Sequence, residues 1–277
     1  EYDELETEEI EAYTIRFKEV AGQLRIPAYK DASDATPVDF TQIIVNASFD
    51  EDASGWSGDV AAHNSQMGDA EFYNKNYNMY QEFYGLPEGT YELKVQGCYR
   101  QGNAEPDYKA FKGETEAAFN GKLFANNDSV GLVQTSSYSI ESKEAVTDYA
   151  KCGAGVDGDV YIPNTMTSGG LAFEEGHYWN SLIFKYDGNG VLRIGIAKNA
   201  QISGDWTLFD NFQLIYYGPK SEKEPTKIKI LPNFGGNPTP KTVKAIYDPS
   251  GMQIEEVQEG LNILLMEDYT TEKVYVE

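Results

Sequence analysis

The spacing of apolar and polar positions changes twice along this chain. In residues 1–36, Ile10, Tyr13, Phe17, Val20 and Leu24 recur at steps of three and four, which lays one apolar stripe along a helix of about six turns. Pro27 and the polar run Lys30–Pro37 end that helix and read as a linker. A lone amphipathic helix has to cover its stripe, so the expectation is that it packs on the domain that follows. The alternative is that it is the remnant of a longer helical region.

From Phe40 to Gly218 the period is two. Tyr91, Leu93, Val95 and Tyr99 alternate with Glu92, Lys94, Gln96 and Arg100 after the turn Leu86-Pro87-Glu88-Gly89, the pattern of a half-buried strand. Leu182, Phe184 and Tyr186 lead through Asp187-Gly188-Asn189-Gly190 to Leu192, Ile194 and Ile196. Gly and Asn tolerate the positive φ of a tight turn, so this stretch predicts a hairpin. Trp206, Leu208, Phe212, Leu214 and Tyr216 predict one apolar face of a last strand, interrupted by Asp210. Shorter β-like runs are Gln42–Asn46, Glu71–Asn74, Met79–Tyr84 and Lys122–Ala125. Many short strands with little helical period predict a mainly β fold, a jelly-roll β-sandwich. After the charged linker Pro219–Pro225, β-like runs at Thr226–Leu231, Val243–Tyr247, Leu261–Met266 and Lys273–Val276 predict a small C-terminal β module. The expected organisation is a helix and linker at 1–36, a jelly roll at 37–218 and the module at 219–277.

Charge narrows the function. The 277 residues carry a net −23, most of it on residues 37–218, which repels nucleic-acid backbones and anionic membrane surfaces. No run of 18 or more residues is free of charge, so no transmembrane helix is expected. Aromatics at 13 % speak against disorder. Cys98 and Cys152 make no disulfide framework and match no metal-ligand spacing; the two either pair with each other or stay free. The chain opens at Glu1 with no Met and no signal-like run, which reads as a mature or trimmed chain.

Three stretches carry a family resemblance: Ile43-Ile44-Val45-Asn46-Ala47-Ser48-Phe49-Asp50 with Gly55-Trp56, Ala70–Asn74 through Leu86-Pro87-Glu88-Gly89-Thr90-Tyr91, and Asp205–Leu214. In order and spacing they resemble galactose-binding-like jelly rolls and carbohydrate-binding modules of secreted or surface proteins from gut Bacteroidetes. The tail Ile246-Tyr247-Asp248-Pro249-Ser250-Gly251-Met252, Gly260–Leu264 and Lys273–Val276 resembles the sorting domain of type IX secretion. The resemblance implies an extracytoplasmic, secreted or cell-surface protein. It also implies a structural Ca²⁺ between the opening and closing strands, with Asp50 and Asp210 as the matching carboxylates. The plainer alternative is a hydrogen-bonded aspartate closing the barrel end. No other cofactor is expected.

Candidate chemistry rests on aromatics, whose flat faces stack on sugar rings while Tyr adds a hydroxyl. Trp56 lies in a Gly/Ser/Asp loop, Tyr73, Tyr77 and Tyr80 crowd one polar segment, and Trp179 follows Gly176-His177-Tyr178. Each has a core-packing alternative. Asp50-Glu51-Asp52-Ala53-Ser54-Gly55 matches half an EF-hand loop, but Ala61 stands where the bidentate Glu belongs. No G-x-S-x-G is present, and the two histidines, His63 and His177, lie far apart in sequence. Glu174-Glu175 beside His177 is the least remote pair for glycoside hydrolysis. The expected function is non-catalytic binding of a neutral glycan. A surface protein partner, or a glycoside hydrolase, is the alternative.

Overall fold

The computed structural model describes residues 7–118, 120–200 and 202–226, and the strands at 243–247, 253–254, 260–266 and 271–276. The fold is mainly β, and the chain forms two compact units, Glu1–Phe234 and Gly235–Glu277. In the first unit two antiparallel sheets face each other. One sheet runs in the order Trp179–Tyr186, Gly89–Arg100, Trp206–Gly218, Asp69–Tyr73, Ala62–Asn64. Val38–Asp39 joins it beside Trp206–Gly218, and Val133–Gln134 runs parallel to Gly89–Arg100. The opposing sheet runs Ser57–Gly58, Tyr77–Tyr84, Val191–Lys198, Lys122–Ala125, Asp128–Gly131. Alternation along each strand turns Tyr91, Leu93 and Val95 of the first sheet, and Met79, Ile194 and Ile196 of the second, into one shared core. At one end of that core Lys198 and Asp205, both fully buried, form an ion pair, with the Tyr99 hydroxyl also donating to Asp205.

Two expectations about strand pairing are corrected. The stretch through Asp187–Gly190 is no hairpin: Trp179–Tyr186 pairs with Gly89–Arg100, and Val191–Lys198 pairs with Tyr77–Tyr84 in the other sheet. Gly188 and Gly190 take positive φ and carry the chain across the sandwich, so the two apolar faces meet from opposite sides of the core. The last strand does not keep one face either. The register slips between Asp210 and Gln213, where Asn211 takes φ 54°, and such a bulge flips the alternation. Trp206, Leu208 and Asp210 therefore point away from the main core, while Phe212, Leu214 and Tyr216 point into it.

The outward face of the first sheet is roofed. Helix α2 (Ala104–Phe111), the three-stranded sheet Ile140–Ser142, Asp159–Pro163, Tyr149–Ala154 and helix α3 (Met166–Glu174) supply the cover. A second apolar cluster forms beneath it from Cys98, Ala172, Phe173, Tyr178, Trp206 and Leu208. Buried Asp107 ties α2 to the roof by accepting from the Gln101 amide and from the amide and hydroxyl of Ser136. Helix α3 starts with a capping box between Thr165 and Ser168. It lies close on the sheet through Gly169, where a Cβ would come 2.0 Å from the Leu208 side chain. The paired glycines Gly169-Gly170 are poor helix formers, which hides α3 from a reading of periodicity.

The N-terminal helix α1 spans Thr7–Gln23 and meets the strand Tyr77–Tyr84 of the following domain, but not through the expected stripe. Ile10, Tyr13, Phe17, Val20 and Leu24 are all exposed, Phe17 at 75 %. Contact with the sandwich comes from its C-terminal half, with the Lys18 ammonium 5.3 Å from the Tyr84 ring. The sandwich end is closed by the expected linker instead: Ile26, Tyr29 and Ala32 pack on the core, and Tyr29 meets Phe40 and Tyr216 edge-on. Gln42–Asn46 is not a strand but begins as a 3-10 turn, Thr41–Ile43. The second unit is a four-stranded antiparallel sheet ordered Gln253–Ile254, Val243–Tyr247, Gly260–Met266, Thr271–Val276. Of the expected run Thr226–Leu231, only Thr226 is among the described residues; it pairs with Ile183 at the edge of the first sheet.

Candidate functional site

The five aromatics expected to contact ligand do not share one surface. Tyr77 is 3 % exposed, stacked 4.2 Å from Phe72, and its hydroxyl donates to Thr207. It sits at an inward position of its strand, and burial pushes its phenol above the usual range. A stacking role for Tyr77 is thus corrected to core packing. Tyr80, on the other side of the same strand, already carries the Arg193 guanidinium 4.1 Å from its ring, held there by Glu82. Trp56 is half-buried, with its indole 4.6 Å from the Phe212 ring and its Nε1 donating to the Asn46 carbonyl. Those contacts make it a lid on the sandwich edge. Trp179 is 37 % exposed beneath Lys94.

Tyr73 differs from these. It ends the strand Asp69–Tyr73 with its side chain 54 % exposed on the roofed side of the sheet. Cross-strand pairing sets it beside Trp206, and Trp206 beside Arg100. Facing this row, the start of α3 (Asn164, Thr165, Met166) forms the second wall of a cleft of about 300 Å³. Glu71 completes the lining, its Oε2 accepting from Trp206 Nε1 at 2.5 Å. The Arg100 guanidinium lies 5.2 Å from the Trp206 ring, donating from Nε to the Gly102 carbonyl and from Nη1 to Asn164 Oδ1. Arg100 is 5 % exposed, and desolvation lowers its pKa. One exposed ring, one carboxylate, one guanidinium and one amide therefore converge.

A second polar group lies on the same face. Asp69 and Asp210 directly follow the Ala70–Phe209 pair of the ladder, so they neighbour each other across the two strands. Asp69 is fully buried and neither carboxyl oxygen has a hydrogen-bond partner among the described residues. Burial pushes both carboxyls up to about 8; the charge of Asp210 adds to the shift at Asp69, and that of Asp50 to the shift at Asp210. Asp210 accepts from the amide and side chain of Asn211, and exposed Asp50 accepts from Ser48.

Asp69, with both oxygens without a hydrogen-bond partner among the described residues, and Asp210, whose oxygens accept from Asn211, are the two neighbouring buried carboxylates that could hold a hard oxygen-seeking cation such as Ca²⁺. Of the expected pair, Asp210 is buried beside Asp69, whereas Asp50 is exposed. Among the described residues no group of three or more His, Cys, Asp or Glu side chains converges for metal binding, so backbone and amide oxygens would have to complete such a shell. Cys98 and Cys152 are free and buried, one under α3 and the other in the cluster with Ala104 beneath α2.

Sequence reasoning missed Glu71, Arg100, Asn164 and Asp69. The first two occupy outward positions of alternating strands, which read as solvent-facing until the roof is known. Asn164 precedes a glycine-rich helix without a periodic signature, and Asp69 sits at a strand start. No protein-family model, curated protein or solved structure matches this chain.

Proposed function

We propose that the sandwich is a non-catalytic glycan-binding module of an extracytoplasmic protein, and that its ligand enters the cleft between Tyr73 and the start of α3. The observation that carries this reading is the exposed Tyr73 ring beside Arg100, Asn164 and Glu71. A sugar needs that combination: an aromatic plane for its C–H face and both donors and acceptors for its hydroxyls. At about 300 Å³ the cleft is at the small end of ligand sites, suited to one or two rings. Glycoside hydrolysis uses a pair of carboxylates, whereas Glu71 is the one carboxylate in this lining; recognition is the simpler use of the geometry. Ca²⁺ at Asp69 and Asp210 is part of the proposal, as a structural ion that fixes the sheet face beneath α3.

A glycan-array screen with and without millimolar Ca²⁺, repeated on Tyr73→Ala, tests the reading. Binding that Tyr73→Ala loses supports it. Silence across the array from a protein that melts cooperatively sinks it. A second reading, docking of a protein partner, is favoured by the exposed stripe Ile10, Tyr13, Phe17, Val20 and Leu24. Sedimentation of the full chain against a Phe17→Asp, Leu24→Asp variant would reveal self-association through that face.

A further inference from the structure

Arg100 is anomalous in its surroundings. Buried charges are ordinarily paired, yet this guanidinium, 95 % removed from solvent, makes no ion pair among the described residues. Its Nε and Nη1 are spent on neutral oxygens, those of Gly102 and Asn164. Its Nη2 has no partner among the described residues, although the side chain lines an open cleft. Asp107 and Glu71 act on it only through their field.

Across the same cleft stands the N-terminus of α3. Thr165 is the cap, and the capping box satisfies the Ser168 amide, whereas the amides of Met166 and Thr167 find no acceptor among the described residues. Free first-turn amides and the positive end of the helix dipole favour an anion. A guanidinium fork and a helix start are two independent positive elements lining one small space. The negative element there, Glu71, is turned to the Trp206 indole.

Resting on the glycan reading above, we infer that the preferred ligand is a sugar bearing a carboxylate, a uronic acid residue. Its carboxylate sits between Arg100 and the first turn of α3, and its ring lies on Tyr73. Glu71 and the Asn164 amide meet the hydroxyls. This choice departs from the neutral ligand that a net charge of −23 suggests. That charge acts at long range and is screened beyond about 8 Å in physiological salt, while a charge-assisted hydrogen bond acts at contact.

Calorimetric titration of the full chain decides between them. The probes are an oligogalacturonate, the same oligosaccharide with its carboxyls reduced to alcohols, and sodium acetate. The expected result is that the uronate binds about tenfold or more tightly than its reduced counterpart, with acetate far weaker than either. Arg100→Gln is expected to weaken the uronate far more than the reduced oligosaccharide, so that the two affinities converge and the preference is abolished.

Because Arg100 is buried, its loss could unfold the roof, so a second variant removes the opposite donor. Met166→Pro deletes one amide at the first helical position, where proline is tolerated, and Thr165 before it is already extended. It should reduce the preference several-fold in a protein that still melts cooperatively, with Tm lowered only by the lost packing of the Met166 side chain on the cluster beneath α3. Equal affinity for both oligosaccharides, each lost in Tyr73→Ala, would overturn the uronate assignment and leave the glycan reading standing. Acetate displacing the uronate at matched concentration would overturn it in favour of a bare anion site. Binding of neither oligosaccharide by an intact protein would overturn both readings.

Discussion

The two faces of the first sheet are both buried, yet they are built of different matter. The inward face presents Tyr91, Leu93, Phe209 and Leu214 to the opposing sheet. The outward face presents Asp69, Asp210, Gln96 and Arg100, together with the apolar patch around Leu208, to the roof. An ordinary sandwich leaves its outward face to water, where alternating polar residues need no further explanation. Here the roof withdraws that water, and each polar side chain has had to find a protein partner or stay unsatisfied. Gln96 succeeds, donating to the carbonyls of Phe173 and His177. Asp69 does not, and Arg100 does so only in part. Unmet polar groups on a roofed face are where ligands are to be sought.

The most damaging way to break the contrast is to hollow out the inward face. Phe209→Ala removes a fully buried ring that touches Phe49, Phe72 and Phe212. It should cost about 3–5 kcal/mol, read as a lowered denaturant midpoint.

Next comes the outward carboxylate pair. Both carboxyls are held up to about 8 in the fold, against about 4 in the unfolded chain. Between those pH values the native state keeps protons that the unfolded state has released. Without divalent cation, stability should therefore fall as pH rises from about 4 to about 8, read as a falling Tm. Millimolar Ca²⁺ should restore it at pH 8. Asp69→Asn should flatten the pH dependence and remove the response to Ca²⁺. A melting temperature that rises with pH in chelator would contradict the buried-pair account.

Smaller effects separate ligand contact from stability. Tyr73→Ala should weaken glycan binding by about tenfold while changing stability by under about 0.5 kcal/mol, since more than half of its surface is already in water. Trp179→Ala, whose ring is covered by Lys94 away from the cleft lining, should leave affinity within about twofold. Loss of binding there would move the site along the sheet.

How much of this was legible beforehand follows the same divide. The inward face announces itself: Tyr91-Leu93-Val95 and Leu192-Ile194-Ile196 alternate cleanly, and a period of two with turn residues between suffices to call a sandwich. Pairing partners were less legible, because Asp187–Gly190 permits both a hairpin and a crossing, and only the rest of the sheet decides. Asn211 gave no warning that the last strand changes face, although Asp210 on an apolar run was the trace of it. The cleft was almost illegible. Tyr73 could be named as an aromatic in a polar stretch, but Arg100 and Asn164 are 64 positions apart and meet only through the roof. Tyr77 was misplaced because crowding in sequence says nothing about which side of a strand a ring takes.

The burial of Cys98 has a use as a clock. Its thiol is fully sealed between the sheet and α3, and burial raises its pKa to about 12, so an alkylating reagent reaches a reactive thiolate only while α3 is lifted. The rate of its modification at low reagent therefore counts the fraction of time that the cover stands open, a local opening free energy separate from global unfolding. Cys152, in the cluster beneath α2, keeps the same time for the other end of the roof. A ligand bridging Arg100 and the start of α3 would slow the first clock and leave the second running.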